Sequence, residues 1–300
     1  MQAARYHRYG DPDVLVVEDA PEPHAGAGSV RIKVQATSVN PVDFLLRAGH
    51  VQDILPLELP AVPGRDGVGV VDEVGPGVEG TRVGDLVFGL GGVSDTTAQF
   101  AVLSAWSAVP SEWSTEQAAA AGLASATAAA VIAALGDLDG RTLLIEGASG
   151  AVGSAVAAFA LAAGATVIGT ARQANHAHLT DLGVQATTYG PGLDERVAAL
   201  APAGIDAAVH AAPSASLPDL VDIVGDLTRV VTVIDTEGAA RLGLRKIDAR
   251  NDSTLLQQAA DLGRRGLYTP RVEHVLPLAS IAEAHTLAQN HSGKVVITLP

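Results

Sequence analysis

The chain has 300 residues, 48 % of them hydrophobic and 17 % charged, which is enough apolar material for two packed domains. Its formal net charge of −14 leaves no basic excess to neutralise phosphates, so neither nucleic acid nor an anionic membrane is expected as a partner. With no cysteine, disulfides, thiolate zinc sites and cysteine catalysis are excluded.

The opening MQAARYHRYG has no apolar core of the kind a leader segment needs, and the expected location is the cytoplasm. The first hundred residues read as β-rich. SVRIKVQATSV, GVGVVDEVG, VGDLVFGL and TAQFAVL are short β-branched runs separated by Gly, Pro and Asp. Alternation from Val30 to Gln35 fits a strand with one wet face. Residues 114–135 change character: Ala-rich, opening with Ser-Thr-Glu-Gln, they read as a helix. The uncharged stretches 118–135 and 147–171 are broken by Gly, Ser or Thr and read as buried elements rather than membrane spans.

From Arg141 the pattern becomes βαβα. TLLIEG, ATVIGTA, GIDAAVHAA and TRVVTVID are candidate strands, with helices predicted over 151–163, 176–182, 193–200 and 217–224. Apolar strands alternating with helices imply a doubly wound parallel sheet covered on both faces. Beyond Asp252 come a helix over 254–265, the strand-like VEHVLPL, a helix over 281–290 and a closing KVVITL. This tail is too short to be a domain. It is expected to pack onto the N-terminal β-rich part, leaving the α/β unit as an insertion.

The strongest local signal is LLIEGASGAVG, residues 143–153. Gly147 permits a sharp turn out of the strand, Gly150 lets a ligand approach the backbone, and Gly153 lets the following helix lie close to the strand. The helix N-terminus then offers unpaired N–H groups to a pyrophosphate, with Ser149, Ala151 and Val152 beside it. A plain tight turn without ligand satisfies the same three glycines. The next strand ends at Thr170, with no carboxylate to repel a 2′-phosphate, and Arg172 follows with a guanidinium able to pair with one. His176 and Tyr189 complete a candidate adenosine-phosphate pocket that favours NADP(H). A nucleophile elbow built on Ser149 is the rival reading, with Asp206 and the late histidines His274, His285 and His291 as partners. It leaves Gly153 and Arg172 without a role.

Taken in order, these stretches resemble one family. YGDPDVLVVEDAPEP, ATSVNPVDFLLRAG, VPGRDGVGVVDEVGPGV, VGDLVFG, AAAAGLASATAAAVI, LLIEGASGAVG, VIGTAR and GKVVITLP are similar to zinc-free medium-chain dehydrogenases/reductases of the quinone oxidoreductase, zeta-crystallin-like, branch. The resemblance covers the whole chain. It implies an α/β protein with a GroES-like β-rich catalytic domain over residues 1–114, a Rossmann NADP(H)-binding domain over 115–264, and a segment over 265–300 that completes the catalytic domain. It also implies a homodimer joined through the last Rossmann strand, near residues 242–247.

Carried over residue by residue, the resemblance places Asn40 and Thr127 beside the nicotinamide and Asp43 in the substrate pocket, so that Asn40 and Asp43 are the candidate catalytic residues. Gly147, Ser149, Gly150, Ala151, Val152 and Gly153 would cradle the pyrophosphate. Thr170, Arg172, His176 and Tyr189 would hold the adenosine phosphate, and Val233, Ile234 and Asp235 the nicotinamide ribose. Asn40 and Asp43 equally suit a capped turn ahead of Pro41.

No metal is expected. Zinc-dependent relatives carry Cys where this chain has Asn40, and His-Glu where it has Arg65-Asp66. Two departures stand out: Phe159 where many relatives have Gln, and His176 where they often have Lys. The implied reaction is hydride transfer from NADPH to a quinone or another conjugated carbonyl acceptor, without zinc. An alkene double-bond reductase of a biosynthetic pathway is the alternative, and a non-catalytic NADPH-binding protein is the rival of another class.

Overall fold

A computed structural model describes residues 1–290 and 293–300, so His291 lies outside the described residues. The chain divides into two compact units, Met1–Leu123 with Asn251–Pro300, and Ala124–Arg250.

In the first unit the β-branched runs form strands as their alternation suggests. A short antiparallel pair, β1 (Gln2–Arg5) and β2 (Val16–Asp19), precedes β3 (Val30–Val39). The helix α1 (Pro41–Ala48) follows, then β4 (Asp66–Val74), β5 (Leu86–Leu90), β6 (Phe100–Leu103) and β7 (Ala105–Ala108). Helix α2 (Thr115–Leu135) contains the point where the two units divide. It is long and apolar enough to cross a membrane, and its most apolar window is 72 % buried inside the protein.

The second unit is a six-stranded parallel sheet. Its chain order is β8 (Thr142–Glu146), α3 (Ala151–Ala162), β9 (Thr166–Thr170), α4 (His176–Asp181), β10 (Gln185–Thr187) and α5 (Leu193–Leu200). Then come β11 (Ala207–His210), α6 (Leu217–Val224), β12 (Val230–Thr232), α7 (Thr236–Leu242) and β13 (Arg245–Lys246). The strands lie in the order β10-β9-β8-β11-β12-β13. This is the doubly wound arrangement whose strand order reverses between β8 and β11, the place where such sheets bind ligands outside the carboxyl ends of their strands. Leu144, Ile168, Ala208 and Val230 fill its core. At the carboxyl ends the register puts a row of polar side chains across the sheet: Thr187, Thr170, Glu146, His210, Thr232 and Lys246.

The tail returns to the first unit. It runs through α8 (Ser253–Arg264), β14 (His274–Pro277), α9 (Ile281–Gln289) and β15 (Val295–Thr298). β15 pairs antiparallel with β3, giving a sheet ordered β14-β15-β3-β4-β5-β7, with β6 also on β3. Val39, Ile281, Val295 and Ile297 share one core with Ala4 and Tyr6, so both ends of the chain bury the same apolar surface.

The division differs from the sequence expectation at two points. The first unit extends past residue 114 to Leu123, and α8 belongs to it rather than to the Rossmann unit. The cause is packing: Trp113 lies so close to α8 that a Cβ on Gly263 would come within 2.7 Å of its ring, and the Ser253 hydroxyl accepts a hydrogen bond from the Trp106 backbone N–H at 3.1 Å.

Candidate active site

The first unit carries a buried polar cluster built around the start of α1. Pro41 presets the first helical turn, and the Asp43 carboxylate accepts the Asn40 backbone N–H at 2.7 Å, half of a capping box. The Asn40 side chain does not cap. Its Nδ2 donates to Asp66 Oδ2 at 2.9 Å, and its Oδ1 accepts from Lys294 Nζ at 2.7 Å. Asp66 also accepts from the Ser38 hydroxyl, from the Leu123 backbone N–H at 2.7 Å, and from Lys294 at 3.3 Å. Asn40, Asp43, Asp66 and Lys294 are all buried. Such an ion pair holds only because each charge is also hydrogen-bonded.

Asp43 is the member left incomplete: its Oδ1 is buried with no hydrogen-bond partner. Burial pushes its carboxyl up to about 7, with the Asp66 charge adding to the rise, against the pull of the Asn40 N–H, Lys294 and Arg65. Ser38, Asp66 and Lys294 escape sequence reasoning as site residues. Asp66 was legible only as the partner of a missing metal position, and Lys294 only as the start of a strand.

In the second unit the structure gathers the glycine turn and the end of β9. Gly147 has a left-handed φ of 80°, and its N–H donates to Thr170 Oγ1 at 3.2 Å. Thr170 is fully buried, so its hydroxyl braces the turn. A Cβ on Gly153 would come within 2.2 Å of Gly147 O, which explains how α3 lies so close to its strand. Ser149 Oγ accepts from Asn175 Nδ2 at 3.2 Å, a neighbour the sequence did not suggest. No histidine or carboxylate is hydrogen-bonded to Ser149 among the described residues, so the base a serine nucleophile needs is not assembled.

Arg172 is exposed; its backbone carbonyl accepts the Asn175 N–H at 2.8 Å, but its guanidinium has no hydrogen-bond or ion-pair partner among the described residues. His176 lies beside it, its Nε2 3.2 Å from Ala171 O, and Tyr189 is 53 % exposed beyond the end of β10. Val233, Ile234 and Asp235 follow the end of β12. Val233 N–H donates to His210 O at 3.0 Å, and the Asp235 carboxylate caps α7 through the Gly238 N–H at 2.7 Å. Thr127 is buried in α2. Asn40 and Asp43 thus belong to the first unit, and the other expected site residues to the second. Among the described residues, no three His, Cys, Asp or Glu side chains are grouped as a metal ion would require.

Comparison with known proteins places this geometry. The alcohol dehydrogenase GroES-like domain family matches residues 26–112. Quinone oxidoreductase of Rattus norvegicus is 30 % identical, covering 98 % of this chain and 96 % of its own. The chain belongs to the quinone oxidoreductase family of medium-chain dehydrogenases/reductases. A second relative, 2-methylene-furan-3-one reductase of Solanum lycopersicum, is 37 % identical over 52 % of this chain and 43 % of that protein. The solved quinone oxidoreductase of Coxiella burnetii superposes with a TM-score of 0.86 at 26 % identity, covering 100 % of this chain and 99 % of that one.

As a quinone oxidoreductase family member, the chain is an oxidoreductase of GroES-like and Rossmann domains, from a family that uses nicotinamide cofactors. The second unit fits such a dinucleotide. A Cβ on Gly150 would meet only Gly147 O, at 3.3 Å, so the space over the turn is left clear. The N-terminus of α3 has no side-chain cap, leaving its first N–H groups to a ligand.

Proposed function

We propose that this protein is an NADPH-dependent reductase that passes hydride to a conjugated carbonyl acceptor, either a quinone or an enone, without zinc. One observation carries the cofactor preference. Arg172, at the end of β9, offers a guanidinium with no partner where an NAD-preferring site has a carboxylate. The acceptor class follows from the relatives, named for quinone and for 2-methylene-furan-3-one reduction.

When bound, the reduced nicotinamide supplies the hydride. The chain's residues do the rest. The turn from Gly147 to Gly153 and the N-terminus of α3 hold the pyrophosphate, with Ser149 fixed by Asn175. Arg172 pairs with the 2′-phosphate, with His176 and Tyr189 beside it. Asn40 is held rigid by Asp66 and Lys294. We take Asp43, whose Oδ1 has no hydrogen-bond partner and whose carboxyl is pushed up to about 7, as the candidate donor of the proton that a reduced enone needs at its α-carbon. We take the protein to act in the cytoplasm as a homodimer formed along β13, an edge strand of the second sheet.

NADPH oxidation measured against a panel of quinones, enals and enones, with NADH in parallel, tests this. The expected result is turnover with at least one class and preference for NADPH. Tight NADPH binding with no turnover on any acceptor would instead identify a non-catalytic binding protein.

A further inference from the structure

The polar row at the carboxyl ends of the second sheet contains a buried acid and a buried base side by side. Glu146, the last residue of β8, is 1 % exposed, and His210, its register partner on β11, is fully buried. The two side chains come within 3.8 Å, from His210 Nε2 to Glu146 Oε2. Neither has a role in the site described above.

Hydroxyl groups surround the pair. Ser214 Oγ donates to Glu146 Oε1 at 2.8 Å, so it accepts from His210 Nε2–H at 3.2 Å. Ser216 donates its hydroxyl to Glu146 Oε2. Thr232 Oγ1 accepts the N–H groups of Ile234 and Asp235 at 3.2 and 3.1 Å, and its own hydroxyl lies 3.0 Å from His210 Nδ1 and, more distantly, donates to His210 O at 3.4 Å. His210 is fully buried, and that burial favours the neutral ring, holding its pKa below the usual histidine value against the opposing pull of Glu146 and Asp235. Glu146 is a buried carboxylate held by two hydroxyls and no cation. Beyond Thr232 the row ends at Lys246, which is paired with Asp248.

This pair stands directly under the glycine turn. Gly147 is the next residue, and a Cβ there would meet Ala212 Cβ at 2.8 Å and Ala211 O at 3.1 Å. The loop that carries Ser214 and Ser216 thus lies against the turn, and Glu146 holds that loop through both serines. A pyrophosphate at the start of α3 brings at least two negative charges close to a buried site that already has one. The response open to the pair is protonation of His210, whose Nε2–H then faces a full carboxylate and whose Nδ1–H finds Thr232 Oγ1. No ligand bond changes; the proton comes from solvent.

We infer that Glu146 and His210 form a positioning pair that takes up one proton when the dinucleotide binds, making cofactor affinity fall as pH rises. The inference rests on the glycine turn being the dinucleotide cradle.

Calorimetric titration of the purified protein with NADPH, at pH 7.5 in buffers of differing ionisation enthalpy, tests it. Wild type is expected to take up about 0.5–1 proton per dinucleotide, and Kd to rise up to about tenfold per pH unit above neutrality. Glu146→Gln, which keeps a hydrogen-bonding oxygen, should lose that uptake and flatten the pH profile, and His210→Asn should do the same. Protons taken up by the 2′-phosphate are common to all three proteins and cancel in the difference. Equal heats in every buffer for wild type, or unchanged uptake in Glu146→Gln, would overturn the inference while leaving the cradle intact. No NADPH binding by wild type would overturn the cradle itself.

Discussion

Arg172 shows what a single side chain contributes when nothing in the protein competes for it. An exposed guanidinium without a partner keeps all its donors for a ligand. Arg172→Ala is expected to raise the NADPH KM by about tenfold or more, the size of one charge-assisted contact, and to move the NADH KM by less than about twofold. Equal effects on the two cofactors would remove the 2′-phosphate assignment. Asn40 is the opposite case. Both of its amide atoms are taken, by Asp66 and Lys294, so its side chain is held in place. Arg172 was legible in the sequence because it lies a fixed distance beyond a glycine turn. Lys294 was not, because its partners lie 254 and 228 residues away and no local pattern records such contacts.

At the scale of elements, the glycine turn separates two kinds of glycine. Gly153 is required by the protein itself, since a Cβ would strike Gly147 O and Ala148 Cα at 2.2 and 2.8 Å. Gly150 meets only Gly147 O, at 3.3 Å, so its freedom serves what lies outside the chain. Gly153→Ala should therefore lower stability by about 2–3 kcal/mol in chemical unfolding. Gly150→Ala should change stability by less than about 1 kcal/mol yet weaken NADPH binding at least tenfold. Normal affinity in Gly150→Ala would refute the cradle. The βαβ run was readable because buried parallel strands are apolar throughout and their helices intervene regularly. The β-rich part was harder. TAQFAVL and the following AWSA form two strands, β6 and β7, that pair with different partners, β3 and β5. Alternation reports which face is buried, not which neighbour lies alongside.

For the molecule as a whole, two buried titrating groups of the first unit oppose each other. Asp43 is pushed up to about 7, chiefly by burial. The native state keeps a proton that the unfolded chain releases near pH 4, so stability falls as pH rises from about 4 to about 7, by about 1.4 kcal/mol per pH unit. His285 is pushed down to about 3 by burial and by the Arg47 guanidinium, whose Nη1 lies 3.3 Å from its Nδ1. There the native state refuses a proton that the unfolded chain accepts below about 6.5, so stability is lost as pH falls from about 6.5 to about 3. Between about pH 4 and 6.5 these two slopes oppose each other, and Asp95, pushed up to about 6 by burial, adds to the Asp43 slope below about pH 6. Relative to wild type, urea unfolding should show Asp43→Asn shifted towards losing stability in acid, and His285→Gln shifted towards losing it near neutrality. Parallel profiles for all three proteins would contradict both assignments.

The pairing of β15 with β3, and the seat of Lys294 beside Asn40, set an order of events during synthesis. The ribosome releases residues 124–250 before the last strand exists, and domains fold as they emerge. The Rossmann unit therefore has its whole sequence available while the end of β3 from Ala36 to Val39, the stretch that β15 covers, is still open and Asp66 lacks its cation. The unit that begins first is the last to finish, and until residue 298 clears the exit tunnel its nascent form needs protection from the pairing of that edge with other chains.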